Sequence, residues 1–421
     1  MAKMNVLWLI NILLPEAAAA FGQEAPVIGG WLTAYRESLR LYAPDLHLTI
    51  VSPYLGTELR MQEVQGDRHY AFPERSTSQE RTELFRRIIQ EVQPNVVHIH
   101  GSEYPHSFDF LRLVDPRCAV LSIQGLVSVY TYYYYAGISA GERLRSTTLR
   151  DLIRREYYCQ LKKVFRDHGR SEQRMIIGVG NVIGRTDWDR AHCQALHPDV
   201  RYYHCEEPLR QEFYGAAWDR SRCAATPTLF VSQANYPIKG LHQLLRALPL
   251  VLRAYPELQV HVAGDDLSQM PWYKRRSYGA YLRQLIDRYR LRSHVHFLGR
   301  LTAEQMREQY LQARIFVSPS SIENSSNSVC EAQLLGTPIV ASNVGGMADL
   351  IEHRRTGLLY RFEEVEMLAA YICELLSDDD LCRRLSAAER DTAVRRHDRQ
   401  HIAAQLHQIY TQIYQTTQQD A

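Results

Sequence analysis

The feature that most constrains this chain is an alternation, run through twice, of short apolar runs with longer stretches of helical spacing. In the first half the runs are residues 5–10, 48–52, 95–100, 119–124 and 175–179. In the second half they are 228–232, 258–263, 295–298, 315–318 and 338–342. Such runs, rich in Val and Ile, suit strands buried on both faces of a parallel sheet. Between them, 79–91, 241–253, 278–289 and 303–313 carry apolar side chains at helical period. Strand–helix alternation predicts an α/β fold with a doubly wound parallel sheet, and two rounds of it predict two Rossmann-like domains. The length of 421 residues fits two domains. The expected division is 1–205, 206–395, and a closing segment 396–421 with a helix over 399–416. Ligands of such folds sit beyond the carboxyl ends of the strands, so the cleft between facing domains is the expected site.

Composition removes several classes. With 45% hydrophobic and 23% charged residues, the chain is a folded one. Lys plus Arg is 49 and Asp plus Glu is 47, a balance that gives no bulk basis for nucleic-acid binding. The eight Cys form no CxxC pair and read as scattered reduced thiols. No apolar run approaches the roughly 20 residues of a spanning helix. Lys3, the apolar run 6–14 and Ala17 to Ala20 imitate a short signal peptide. A first strand at 5–10 leading into a nucleotide-binding turn is the preferred reading, and it makes the chain cytoplasmic.

The most informative segment runs from Ile315 to Ala332. A strand ends, a polar loop follows, and a helix begins near Asn327 and Ser328. Unpaired N–H groups and the helix dipole make that start an anion site suited to a diphosphate. Glu323 precedes the helix and Glu331 is expected in its first turn. Both carboxylates cannot serve the anion, but they suit hydroxyls at either end of it, as in a sugar joined to a nucleotide. Two plainer readings stand beside this one: Ser328-x-x-Glu331 is also a capping box, and Glu323 is also a solvated loop charge.

The stretch Glu323-x7-Glu331 resembles the E-x7-E motif of the retaining glycosyltransferases of family 4, a group 1 family with the GT-B fold. Leu335 to Asp349, with Gly345-Gly346, resembles the family's next block, and His353 to Leu359 the one after it. Tyr236-Pro-Ile-Lys239-Gly240 resembles its phosphate-binding Lys-Gly element. Val260 to Asp265 and Phe297 to Arg300 also fall in family order. The resemblance covers about 226–376. It implies that Lys239 neutralises the donor phosphates, Glu323 holds the transferred sugar and Glu331 the ribose. It also implies that backbone at Asn327, Ser328 and Val329 takes phosphate oxygens, and that backbone at Arg300 and Leu301 contacts the base. One departure is plain: the family's Arg five residues before the Lys is Ala234 here.

The first half resembles the family less closely. Gly29-Gly30-Trp31 follows the first strand and is expected to let backbone approach the donor. His98 and His100 lie on one strand face by period two; His98 reads as core and His100, at the strand end, as a cleft residue. Where the family has a catalytic His, this chain has Gln124, which hydrogen-bonds but exchanges no proton near neutral pH. His106 is a substitute to test. Arg185, in a family-like element, either faces the diphosphate or braces the domain. Gly178-x-Gly180-x-x-x-Gly184 is a poor dinucleotide fingerprint, with its third glycine one residue late. The stretch 142–174 is basic, with Leu144, Leu149, Leu152, Ile153, Leu161, Val164 and Phe165 at mostly helical spacing. It reads as a solvated helix with an apolar underside or as a helix lying on an anionic membrane. Tyr130 and Tyr132 to Tyr135 suit an acceptor cleft or packing. Asp265–Asp266 and Asp378–Asp380 read as turn and loop residues.

The resemblance therefore implies a retaining, metal-independent hexosyltransferase that needs no cofactor. The donor would be a UDP- or GDP-sugar, and the acceptor a hydroxyl of a glycan or lipid-linked molecule in surface polysaccharide synthesis. A catalytically weak nucleotide-sugar-binding protein is the alternative, because Ala234 and Gln124 replace two usual site residues. An oxidoreductase and another GT-B enzyme, such as a phosphorylase or epimerase, are further rivals.

Overall fold

The structure, a computed structural model, describes residues 4–25 and 29–419; Lys3 of the signal-peptide reading lies outside them. The chain forms two compact units. The first is Met1–Ser128 with Asp167–Arg210 and His397–Ala421; the second is Val129–Arg166 with Gln211–Arg396.

The sheet of the first unit contains β1 (Met4–Leu9), β2 (Leu46–Tyr54), β3 (Arg60–Val64), β4 (Asp67–Pro73), β5 (Val96–His100), β6 (Ala119–Ser122), β7 (Asn181–Gly184) and β8 (Arg201–His204). Their order is β3-β4-β2-β1-β5-β6-β7-β8. Pairing is parallel except between β3 and β4, an antiparallel hairpin at the edge. Val6, Leu7, Trp8 and Leu9 of β1 are wholly buried, as a central strand covered on both faces requires.

The helix Arg399–Gln419 packs on the helix Gly30–Tyr42 of the same unit. Ile402, Leu406, Ile409 and Ile413 recur at helical spacing and are buried with Leu32, Tyr35 and Leu39. Tyr410 fixes the register. The Trp8 Nε1–H donates to its hydroxyl at 2.9 Å, and that hydroxyl meets His98 Nδ1 at 2.6 Å. His98 Nε2 in turn meets Ser122 Oγ at 2.7 Å. Burial holds the His98 pKa well below its usual value, so the ring is neutral. One of its ring nitrogens then donates and the other accepts, between the Tyr410 and Ser122 hydroxyls.

The sheet of the second unit contains β9 (Thr228–Val231), β10 (Gln259–Val262), β11 (Val295–Phe297), β12 (Ile315–Ser318), β13 (Ile339–Ser342) and β14 (Leu358–Tyr360). It is parallel throughout, in the order β11-β10-β9-β12-β13-β14. The segment Val129–Arg166 folds with this sheet. Buried His242 donates from Nε2 to the Ala136 carbonyl at 2.8 Å. Glu142 accepts from Arg246 at 2.8 Å and from the Tyr281 hydroxyl at 3.0 Å. Asp151, fully buried, accepts from both the N–H and the hydroxyl of Ser277 at 2.5 Å. It thereby caps the start of the helix Ser277–Arg288.

Four expectations are corrected. Residues 175–179 are not a strand: Met175 to Gly178 end the helix Tyr158–Gly178, and the strand is β7, just beyond. The first domain is not 1–205, because 129–166 packs with the second unit. The change between units falls at Arg210 and His397 rather than at 205 and 395. Residues 142–174 are three helices, Ala140–Ser146, Leu149–Arg154 and Tyr158–Gly178, not one.

Replacing Tyr410 by Phe leaves Trp8 and His98 without their shared partner in a dry core. We expect a stability loss of about 1–3 kcal/mol, read from a urea titration as a lower midpoint at unchanged slope.

Candidate active site

The second sheet reverses its winding between β9 and β12, the place where an open α/β sheet leaves a crevice beyond its strand ends. The loop after β9 carries Lys239, and the loop after β12 carries Glu323. These loops are tied together by backbone. The Ser321 N–H donates to the Ile238 carbonyl at 2.7 Å, and from the loop after β13 the Gly346 N–H donates to the Glu323 carbonyl at 3.1 Å. Two glycines make this closeness feasible. Gly240 has φ 70°, and a Cβ there would lie 1.7 Å from the Pro319 carbonyl oxygen. Gly345 has φ 53°, and its Cβ would lie 2.0 Å from the Glu323 carbonyl oxygen.

Within this grip Lys239 Nζ meets Glu323 Oε1 at 2.7 Å, and the Ser320 hydroxyl donates to the same oxygen at 2.8 Å. Glu323 Oε2 accepts no hydrogen bond from the described residues. Burial works to lower the Lys239 pKa, but the carboxylate beside it more than reverses this and holds it well above the usual value. The ammonium is therefore permanent at neutral pH. The Tyr236 ring lies 5.9 Å from it.

The helix Asn327–Leu335 starts four residues after Glu323. Its N-cap is Ser326, which makes no side-chain capping bond. The N–H groups of Asn327, Ser328 and Val329 form the first turn, the donors that a helix cannot satisfy internally. The capping-box reading is corrected: Ser328 is already the second helical residue, so it caps nothing. Glu331 is the fifth helical residue, one turn in rather than in the first, and it is buried.

Beside Tyr236 opens a cavity of about 650 Å³. One wall holds Asn235, Tyr236, Asp265 and Arg300; the other holds Tyr134, Tyr158, Leu161 and Phe165 of the 129–166 segment. Gly264 and Gly299 bridge the loops after β10 and β11, N–H to carbonyl at 2.7 Å. Arg300 is 80% exposed and stands 3.9 Å from Asp265, and Leu301 beside it is half-buried. Arg276 and Lys274 also line the cavity, whereas Ala234 is buried. A smaller cavity, about 400 Å³, lies between Tyr132, Tyr133 and the Ile322, Gly345 and Arg361 region.

The first unit treats its expected site residues differently. Gly29, at φ 87°, caps the helix Gly30–Tyr42, and a Cβ on it would strike Ile12 at 2.0 Å. A Cβ on Gly30 would meet the Arg210 side chain at 2.9 Å, so tight packing accounts for both glycines. His100 does not present a titrating ring to solvent. It is 2% exposed, with ring centroids 4.8 Å from Trp8, 5.6 Å from Trp31 and 3.8 Å from His98. Burial pushes its pKa down to about 3. Arg185 braces the unit: its NH1 meets Glu207 Oε2 at 2.9 Å, while Gln124 donates to Glu207 Oε1 at 2.5 Å. His106 is stacked on Tyr104 at 5.3 Å, and burial lowers its pKa to about 4. Gly180 is pressed against the Pro116 carbonyl and Gly184 against Tyr202, which uses the 178–184 glycines for packing.

Sequence reasoning missed Ser320, Tyr236 and the gripping role of Gly240 and Gly345. It also missed Glu172, wholly buried on the helix Tyr158–Gly178. Its carboxylate accepts from the N–H groups of Val127 and Ser128 at 2.8 and 2.9 Å, from the Ser128 hydroxyl at 2.6 Å and from the Ser102 hydroxyl at 3.3 Å. Burial outweighs these bonds and raises its pKa to about 7.

Residues 225–392 match the family model of group 1 glycosyl transferases. Among curated proteins, glycogen synthase of Mycobacterium tuberculosis is 28% identical over 209 residues, 48% of this chain and 47% of that one. The chain thus spans about half the length of the curated relatives it matches. Among solved structures, sucrose-phosphate synthase from Thermosynechococcus elongatus aligns with TM-score 0.73 at 18% identity, covering 98% of this chain and 100% of that one. Anabaena HepE in complex with UDP-glucose aligns with TM-score 0.68 at 16% identity, covering 97% and 100%. These likenesses show the GT-B fold, with its two parallel-sheet α/β units.

Two outcomes follow from this packing. Gly240→Ala drives a methyl into the Pro319 carbonyl and strains the backbone, so we expect a loss of at least about 2 kcal/mol, measured by thermal unfolding. Glu172 sets a pH dependence. Its folded pKa is raised from the ordinary 4.5 to about 7, so the folded state holds a proton that the unfolded state releases between those values. Stability should fall as pH rises through that window, by about 3 kcal/mol in total. Glu172→Gln should flatten the slope; an unchanged slope in urea titrations at pH 5 and 8 would contradict the assignment.

Proposed function

From a chain whose residues 225–392 are a group 1 glycosyl transferase domain, we infer a protein that moves a sugar from a nucleotide-diphosphate sugar to an acceptor hydroxyl. The observation that carries this is the Lys239–Glu323–Ser320 cluster beside the start of the helix Asn327–Leu335. A permanent ammonium and a row of N–H donors converge where a diphosphate would gather charge as the anomeric bond breaks. Glu323 Oε1 is committed to Lys239 and Ser320, while Oε2 is turned to no protein donor among the described residues. That oxygen suits a hydroxyl of the transferred hexose. Glu331 suits the ribose, and the cavity beside Tyr236 and Arg300 suits the nucleoside. HepE, a structure with the same fold, holds UDP-glucose, which favours a UDP-sugar over a GDP-sugar as the first donor to try.

The reaction in this reading is retaining. No protein nucleophile is assigned, so the acceptor hydroxyl attacks from the face that the leaving group departs, and the departing phosphate oxygen takes its proton. The positive potential comes from Lys239 and the helix start, with no metal or cofactor invoked. The acceptor is a glycan or lipid-linked hydroxyl, with Tyr132 and Tyr133 at the smaller cavity as stacking surfaces for a sugar. Surface polysaccharide synthesis at the inner face of the cell membrane is the setting we propose. Among the described residues no helix is long and apolar enough to cross a membrane.

A nucleotide-sugar-binding protein without turnover is the second reading. It is favoured by Ala234 and by the commitment of Gln124 and Arg185 to Glu207.

Nucleotide release from UDP- and GDP-sugars, with and without lipid-linked acceptors, separates the two. Transfer predicts acceptor-stimulated release, whereas donor binding with no release across the acceptor set supports the second. Lys239→Ala and Glu323→Gln should each lower turnover about 10²–10³-fold with the circular dichroism spectrum retained. Glu331→Ala should act mainly on donor KM. Full activity in Lys239→Ala would remove that residue from the mechanism.

A further inference from the structure

The second unit carries an apolar surface that its core does not use. On the helix Leu149–Arg154, Arg150 and Asp151 turn inward: Asp151 caps Ser277, and Arg150 pairs with both Asp151 and Glu156. The opposite face presents Leu149, Leu152 and Ile153, which are 55–75% exposed. The preceding helix, Ala140–Ser146, buries Ser146 and exposes Leu144. Its Arg145 carbonyl accepts from Gln284 of the helix Ser277–Arg288. Immediately before that helix stand Trp272 and Tyr273, both mostly exposed, and Arg276 of the same segment pairs with Glu156. These contacts anchor two helices and one loop, each carrying exposed apolar side chains, around the first turn of a third helix.

The charges sort in the same way. Glu142 and Asp151 point to inward partners, Arg246 and Ser277, and Glu156 is shared between the largely buried Arg150 and the exposed Arg276. Arg145, Arg154 and Arg155 are exposed and have no acidic partner within salt-bridge distance among the described residues. Apolar side chains with an indole and a phenol, fringed by unpaired guanidinium groups, match the boundary of an anionic bilayer.

We propose that this surface docks the protein on an anionic lipid bilayer, with Leu149, Leu152, Ile153 and Trp272 entering the headgroup boundary and Arg145, Arg154 and Arg155 facing lipid phosphates. It differs from a single amphipathic helix over 142–174. Leu161 and Phe165 of that stretch line the large cavity instead, and Trp272 and Tyr273 join from the donor-side half of the chain. Among the described residues, none of its side chains contacts Lys239 or Glu323 through a hydrogen bond or ion pair, so docking and transfer are separately testable.

The test is cosedimentation of the full chain with phosphatidylcholine vesicles, with and without phosphatidylglycerol. Binding should be at least about tenfold stronger on the anionic vesicles and fall with salt. Each of Arg154→Gln and Arg155→Gln should weaken it about fivefold, and Ile153→Glu should abolish it. Indole emission should shift to the blue on anionic vesicles, and Trp272→Phe should remove that shift. Equal binding to both vesicle types, or none, overturns the proposal. So does a native dimer that Ile153→Glu converts to monomer in sedimentation velocity, because the face is then an interface between copies. Vesicle-free nucleotide release should be the same in Ile153→Glu as in the parent chain; a loss there would show that the residue serves the donor unit's fold instead.

Discussion

The Lys239–Glu323 ion pair is the interaction on which the proposed chemistry of the second unit depends. The two side chains are 19% and 10% exposed and meet at 2.7 Å, so both charges have left most of their water. Desolvation at that depth offsets much of the Coulomb gain, and such a pair adds little net stability. What it supplies is position. Burial alone would push the lysine toward neutrality; the carboxylate keeps it charged and fixes the ammonium between the ends of β9 and β12. The Ser320 hydroxyl on Oε1 completes the arrangement by orienting the carboxylate, which leaves Oε2 facing away from both partners. Around this point the backbone is gripped through Gly240 and Gly345, where any side chain would collide with a carbonyl. The charge pair thus sits on loops that are held by main-chain contacts independent of the two side chains.

The central strands were legible because they are buried on both faces and read as continuous apolar runs. The errors fall where burial and secondary structure part company. Met175 and Ile176 are wholly buried and Val179 nearly so, yet the first two close a long helix. A window that short contains no period by which to tell a buried helix end from a strand. The hairpin of β3 and β4 escaped for the converse reason. Most of β3, Arg60 to Glu63, is an exposed, polar edge strand. Its only signal is the Gln65–Gly66 turn, where both residues have positive φ.

As candidates, Lys239 and Glu323 each sit in a local pattern, and the structure brings the two side chains together. The contacts of the first unit's candidates were not legible, because their partners lie far along the chain. Arg185 is claimed by Glu207, 22 residues on, and Gln124 by the same carboxylate, 83 residues on. A strand-end polar residue looks the same in sequence whether it faces a ligand or an internal acid. The 129–166 segment makes the point at larger scale. It follows the first unit's sixth strand in the chain, but its anchoring carboxylate, Asp151, caps a helix 126 residues away. Chain order assigned it to one domain, and hydrogen bonding assigns it to the other.

That placement bears on which cations stand near the proposed donor site, where the resemblance expects an arginine and the chain has the buried Ala234. The 129–166 segment supplies a wall of the large cavity and, through Glu156, a partner 3.7 Å from Arg276. Arg300, on the facing wall, stands 3.9 Å from Asp265. Both guanidinium groups are more than half exposed, and pairs of that length and exposure contribute within about 1 kcal/mol. Exchanging such a carboxylate for a phosphate oxygen therefore costs the fold little. Lys239 is in the opposite position, bound short and partly buried to an acid it cannot leave cheaply. The second unit thus holds one fixed cation, Lys239, in its loop pair, while Arg276 and Arg300 on the cavity walls are held only by long, exposed pairs.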